Sequence, residues 1–157
     1  MKKFNIRIIA AEKDFYEGPC ESLVVPLMDG EIGILAGHMN LMGAVIPGEL
    51  HMKIDDYEKY LPDKSVVDPR TIKNRTEGIV DVVVSAGLLK VENGNVTILV
   101  DSAELPHEID EKRAQKAAEQ AKADLKHNLS IAEHRNAEHA LMRATARISS
   151  RRRHFGL

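Results

Sequence analysis

A chain of 157 residues has room for one ordinary domain and an appendage. Hydrophobic residues make up 43% of it, but aromatic residues only 4%, with no Trp, so the core must be aliphatic. A formal net charge of -2 argues against a nucleic-acid partner, and the single cysteine, Cys20, excludes an internal disulfide and reads as a small core residue.

The first two thirds of the chain carry the period of strands. Phe4, Ile6 and Ile8 alternate with Asn5 and Arg7. Two lysines precede them without an uninterrupted apolar region, so no signal peptide is expected, and no later apolar run is long enough to cross a bilayer. A second apolar run covers 23–27. In Asp29-Gly-Glu-Ile-Gly-Ile-Leu-Ala-Gly-His38, glycines 30, 33 and 37 bracket Ile32 and Ile34, which predicts a strand with a tight turn at each end. Glu31 and His38 fall at those turns. The run 41–46 ends at Pro47-Gly48, a turn signal, and 49–54 alternates again. Residues 53–78, with Tyr57, Tyr60, Pro62, Pro69 and many charges, read as a solvated loop, the alternative being a contact with a neighbouring subunit. Runs 79–85 and 88–91 are rich in β-branched residues, and Asn93-Gly94 is the strongest hairpin signal in the chain, with 96–100 returning from it. Many short strands with turn signals between them predict an antiparallel β-sandwich over residues 1–105.

After Pro106 the period becomes helical. Ala114, Ala117, Ala118, Ala121 and Leu125 form one seam, and Ala137, Leu141, Ala144 and Ile148 a second. Ser130 followed by Glu133 is a capping box that starts the second helix, so 106–157 is expected to be an α-helical antiparallel hairpin with a basic tail, Arg151-Arg-Arg-His-Phe-Gly-Leu157. Each methylene missing from an alanine seam forfeits about 0.8 kcal/mol of burial. The hairpin should therefore dock weakly and be able to leave its dock. Folding back at 128–130 sets Asp110 and Arg113 opposite Arg143 and Arg147. Guanidinium groups gathered near one point call for an anion, and arginine suits phosphate. The alternative is a set of surface ion pairs worth little.

No catalytic constellation is visible. His134 and Glu138 stand one helical turn apart, but His-Glu-x-x-His is absent, and His38 has no nucleophile beside it. Neither an enzyme nor a metal site is expected. In the second helix Arg135, Arg143, Arg147 and Arg151 to Arg153 outnumber Glu133 and Glu138, a run for which nucleic acid is one partner and a solvated helical tail the plainer reading.

Several of these segments together resemble the epsilon subunit of F-type, bacterial-type ATP synthases. Gly30-Glu-Ile-Gly-Ile34 followed by Ala36-Gly-His38 is similar to that family's Gly-Glu-Leu-Gly-Ile and Pro-Gly-His. Ser85-Ala-Gly-Leu-Leu-Lys-Val91 is similar to its Ser-Gly-Gly-x-Leu-x-Val, and Ile109-Asp-Glu-Lys-Arg-Ala114 to its Ile-Asp-x-x-Arg-Ala. Asn95-Val-Thr-Ile-Leu-Val-Asp101 adds to the match. Ala36 stands in place of a proline, Ala86 in place of a glycine, and 53–78 exceeds the corresponding hairpin of most members. The resemblance implies a non-catalytic rotor-stalk subunit that couples ion flow through the c-ring to ATP synthesis. It implies a sandwich that binds the gamma subunit and rests on the c-ring, with Glu31, Gly33 and His38 as contacts. It implies a hairpin that inhibits ATP hydrolysis when extended, its basic helix reaching the acidic helix-turn-helix of the catalytic beta subunit. It places the chain at the cytoplasmic face of the inner or plasma membrane, peripheral and not inserted. No cofactor is required, but the family's regulatory ATP site maps onto Glu104, Ile109, Asp110, Arg113 and Ala114, with Arg143 and Arg147 facing them and Gln120 where strong binders carry another arginine. The rival reading is an independent small-ligand-binding β-sandwich with a helical dimerisation tail.

Overall fold

The computed structural model describes residues 2–66 and 68–155; Val67 in the 53–78 stretch and the last two residues of the basic tail lie outside them. Alternation builds the first strand, β1 (Phe4–Ala10): Phe4, Ile6, Ile8 and Ala10 are buried and the residues between them point outward. The strands that follow are β2 (Asp14–Cys20), β3 (Ser22–Leu27), β4 (Gly30–Leu35), β5 (Leu41–Val45), β6 (Gly48–Lys53), β7 (Ile79–Val84), β8 (Gly87–Glu92), β9 (Asn95–Val100) and β10 (Ala103–Glu104). One hydrogen-bonded path joins them in the order β10-β7-β6-β3-β5-β8-β9-β1-β2, and β4 pairs with β3 alone. The path folds over on itself, so that Ile6, Leu89 and Ile98 from one part share a single aliphatic core with Leu23, Leu50 and Val82 from the other.

Among the described residues the pairing is antiparallel with one exception. β1 runs parallel to β9, with Ile6 beside Val96 and Ile8 beside Ile98. The sandwich is otherwise antiparallel, and this pair is its one departure among the described residues. The two strands meet through the fold rather than through a hairpin, so no local turn signal encodes their direction. The β8–β9 hairpin does follow its signal: Asn93 at φ 52° and Gly94 at φ 80° make the left-handed turn that matches strand twist.

The solvated loop expected over 53–78 is overturned. A short 3-10 turn, Tyr57–Tyr60, is followed by helix α1 (Pro69–Glu77). The Asp68 carboxylate accepts the Thr71 amide at 2.9 Å, Pro69 occupies the first turn, and Gly78 at φ 72° closes the far end. Thr71 and Asn74 are buried because α1 packs on β7 and on the C-terminal helix. Tyr60 meets Tyr16 edge-on at 5.9 Å.

The C-terminal part is a two-helix hairpin of α2 (Glu111–Asp124) and α3 (Ile131–Phe155). Ala114, Ala118 and Ala121 are buried in it with Ala137 and Ala144; Ala117 is exposed, and Leu125, Leu141 and Ile148 are half-buried. Ser130 and Glu133 form the expected reciprocal cap. The last turns of α3 lie across β6, β7, α1 and the turn Pro106–Glu108. β7 is consequently covered on both faces and buried from Val80 to Val84, and its period-two pattern disappears. Among the described residues no helix is long and apolar enough to cross a membrane.

Candidate functional sites

A cavity of about 490 Å³ opens where the end of the sandwich meets the hairpin, and Glu104, Ile109, Asp110, Arg113, Ala114 and Arg147 all line it. Six of the seven residues assigned to a nucleotide are thus brought together. Arg143 is not among the lining residues. Ile109 and Ala114 are buried in its wall, and Asp110 spends one oxygen on the Arg113 amide, 3.1 Å away, as the cap of α2. Arg147 reaches across to Glu104, Nε to Oε1 at 2.7 Å, with a second nitrogen on the same oxygen. Glu12, Asp101 and Glu108 add acid to the lining and Lys13 one cation, so five carboxylates face three cations. A triphosphate fits this lining only by taking Arg147 from Glu104 or by arriving with a divalent cation to offset the carboxylates.

The polar centre of the molecule lies elsewhere. Asp81, in register with His51 across β6 and β7, points away from the core toward the helices and is fully buried. It accepts four hydrogen bonds: from His51 Nδ1 at 2.6 Å, Arg70 Nε at 3.0 Å, Asn74 Nδ2 at 2.9 Å and His154 Nε2 at 2.9 Å. Burial by itself would raise its pKa, but the bonds from His154, His51, Asn74 and Arg70 override this and hold it far below the usual carboxylate range. Burial likewise opposes charge on His51, yet Asp81, with help from Glu49, outweighs it and raises the imidazole's pKa. Glu49, next but one before His51 on β6, is nearly buried and takes Arg153 at 2.8 Å. Sequence reading passed over this cluster. The one signal was an aspartate inside the apolar run Ile79-Val-Asp-Val-Val-Val84, a charge that could be buried only with partners.

The basic tail belongs to the same surface. Arg151 donates to the carbonyls of Pro106 and His107, at 3.4 and 3.2 Å, and lies 4.6 Å over the Phe155 ring. Arg152 pairs with Glu111 at 2.7 Å, within the hairpin. The run is therefore not a freely solvated strip: in this docked form its described cations are engaged by the chain's own oxygens.

Glu31 and Gly33 lie two residues apart on β4, both exposed, and His38 lies beyond the strand's end. Glu31 is exposed at the start of β4, opposite Pro26, where it lines a groove shared with Leu141 and Met142 of α3. Gly33 sits mid-strand, opposite Val24. His38 follows the far end, its amide bonded to the Leu35 carbonyl across a turn that Gly37 makes at φ 83°. Exposed methionines flank both ends, Met28 at one and Met39 at the other. Cys20 is buried, and burial pushes its thiol up to about 12, so it is inert at neutral pH.

One rung of an outer face of the sandwich is apolar, with Lys90, Thr97 and Arg7 on the rung beside it. Ala44, Leu88, Leu99 and Ile9 stand side by side across β5, β8, β9 and β1, and Met42 lies beside them, 67% exposed.

The family model of the ATP synthase delta/epsilon chain β-sandwich domain matches residues 3–62, and that of the delta/epsilon chain long α-helix domain matches 107–150. The stretch between these matches contains α1 and Asp81. Among relatives, the chain is 31% identical to the ATP synthase epsilon chain of Ruminiclostridium cellulolyticum over 153 residues, 98% of each chain. It is 30% identical to that of Nitrosomonas europaea over 150 residues, covering 94% of this chain and 91% of the relative. Among solved structures it is similar in fold to a chain of the Euglena gracilis mitochondrial ATP synthase, OSCP/F1/c-ring (TM-score 0.66, 21% identity, 92% of this chain and 78% of that one). A chain of the Tetrahymena thermophila mitochondrial ATP synthase central stalk/c-ring is also similar (TM-score 0.59, 14% identity, 96% and 97%).

Proposed function

Because this chain belongs to the family of ATP synthase epsilon chains, a non-catalytic part of the central stalk, we propose that it joins the gamma subunit to the c-ring and carries its own brake on ATP hydrolysis. The observation that carries the gamma contact is the apolar row Ala44, Leu88, Leu99 and Ile9, which no other part of the chain covers among the described residues. Leu88→Asp with Leu99→Asp should abolish capture by isolated gamma subunit while the far-ultraviolet circular dichroism stays unchanged. Undiminished capture would move the interface elsewhere.

The turns around β4 are the proposed c-ring contact, with Glu31 and Gly33 on the strand and His38 in the turn beyond it. Glu31→Lys should weaken the coupling of proton pumping to hydrolysis in reconstituted enzyme, and unchanged coupling would remove it. Docking on the ring places the chain peripherally, at the cytoplasmic face of the inner or plasma membrane.

The hairpin is the proposed brake. Docked, it permits turnover; extended along gamma, it presents the arginines of α3 to an acidic surface of the beta subunit. Regulatory ATP would favour the docked form by filling the cavity at Glu104, Asp110, Arg113 and Arg147. The excess of carboxylates there predicts weak binding, in the millimolar range that corresponds to roughly 4 kcal/mol. Titration of the isolated chain with Mg-ATP, following α2 amide resonances, tests this: Arg113→Ala should lose the shifts, and identical shifts in that variant would remove the site.

A further inference from the structure

The contacts that hold α3 to the sandwich are unevenly placed. The buried alanines join α3 to α2, inside the hairpin. The bonds to the sandwich gather toward the end of α3: Arg147 on Glu104, Arg153 on Glu49 and His154 on Asp81. Of these only the His154 contact is fully sequestered, both side chains being at most 4% exposed.

Asp81 is held by three donors that do not belong to the hairpin. His51 comes from the neighbouring strand, and Arg70 and Asn74 from α1. If α3 departs, Asp81 remains charged, oriented and bonded. The usual penalty for opening a buried ion pair, an orphaned charge, is thereby avoided. Such a site can release its fourth donor and take it back.

We propose that α1 completes a latch: it holds Asp81 as a standing receptor for His154, and the C-terminal helix leaves the sandwich only when that contact opens. The neighbouring Glu49–Arg153 pair is the outer, more hydrated part of the same closure. The chain thus sets its own threshold for hairpin release without any bound ligand.

The latch is tested on the isolated full-length chain by amide hydrogen exchange. His154→Ala should speed exchange in α3 about ten- to a hundredfold, the range for losing a hydrogen bond to a charged group, with amides of β6 and β7 unchanged. Arg70→Met should speed α3 exchange in the same direction, because the receptor loosens. Arg152→Ala, whose partner Glu111 lies within the hairpin, should leave docking as it was. Unchanged α3 exchange in His154→Ala, or acceleration spread equally through β6 and β7, would overturn the latch. Unchanged α3 exchange in Arg70→Met would overturn the part given to α1. The regulatory meaning of the latch rests on the epsilon-chain reading and is scored separately: in assembled synthase His154→Ala should lower ATP hydrolysis. If α3 opens in the isolated chain and hydrolysis does not change, the latch stands and the brake falls.

Discussion

At the scale of single residues, Asp81 and His51 govern the response to pH. The His51 pKa is raised in the fold, so its added stability is fully present below the ordinary histidine value of about 6.5 and is lost as pH rises through the folded value. Asp81 has the opposite sign: its pKa is lowered, so its contribution is present above about 3.9 and is lost only on descent into strong acid. Around His51 and His154 stand Asp81, Glu49 with its partner Arg153, Arg70 and His107, the last held below its ordinary range by burial. His107 therefore works against His51 on the acid side, and only a difference measurement separates them. Urea unfolding of the native chain and of His51→Gln should show a gap that is larger at pH 6 than at pH 8 by about 1 kcal/mol, the difference between a charged and a neutral hydrogen bond. A gap that is constant with pH would mean that His51 does not titrate on Asp81. Asp81→Asn, which leaves Arg70 facing a neutral group, should cost about 3 kcal/mol at neutral pH.

Among the elements, those whose signals are local were legible in the sequence. β1 follows its alternation, Asn93-Gly94 turns where it should, and Ser130 with Glu133 caps α3. Helix α1 also had local signals, Asp68-Pro69 before it and Gly78 after it, but its hydrophobic stripe is thin and its buried face is Thr71 and Asn74. A polar face gives no periodic warning of burial, and the segment therefore reads as solvated. β2 was missed because only Tyr16 and Cys20 point fully inward and Gly18-Pro19 interrupts the pattern. The Asp81 cluster lay beyond reach for a different reason: its members come from four elements as far apart as His51 and His154, and nothing short-range links them. The engagement of the tail also changes what its arginines predict. Arg147 and Arg151 hold the docked form, so replacing them would undock the hairpin while weakening its grip on a partner. Arg135, exposed, and Arg143, half-buried, are the better probes. Their joint replacement by Ala should raise ATP hydrolysis by the assembled enzyme and make inhibition less sensitive to salt. Hydrolysis that stays low would leave steric blockage as the brake.

For the whole molecule, the aliphatic core closes without the hairpin. Its described members all precede Pro106, and α3 lies outside it, over β6, β7, α1 and the turn Pro106–Glu108. We expect residues 1–105 to fold alone and to retain capture by gamma, with a lower melting temperature because Val83 and Asp81 lose their cover. A fragment that stays unfolded where the full chain is folded would show that the helices are part of the core rather than a cover. The rival picture of a tail built for dimerisation finds no use for the bonds that tie α3 to its own sandwich.

The parallel seating of β1 beside β9 has a consequence for synthesis on the ribosome. β1 can take β2 as a neighbour as soon as both are made, but its other edge waits for a partner that is made roughly ninety residues later, and such distant pairings form slowly. Until then a newly made chain carries an open strand edge near its amino terminus, the place where a nascent polypeptide would pair wrongly with another copy. Completion of β9 seals that edge. His51, Arg70 and Asp81 have all been made by then, and His154 has not. The receptor is finished before the helix it receives exists, so every new chain meets its own tail with the docking site already waiting.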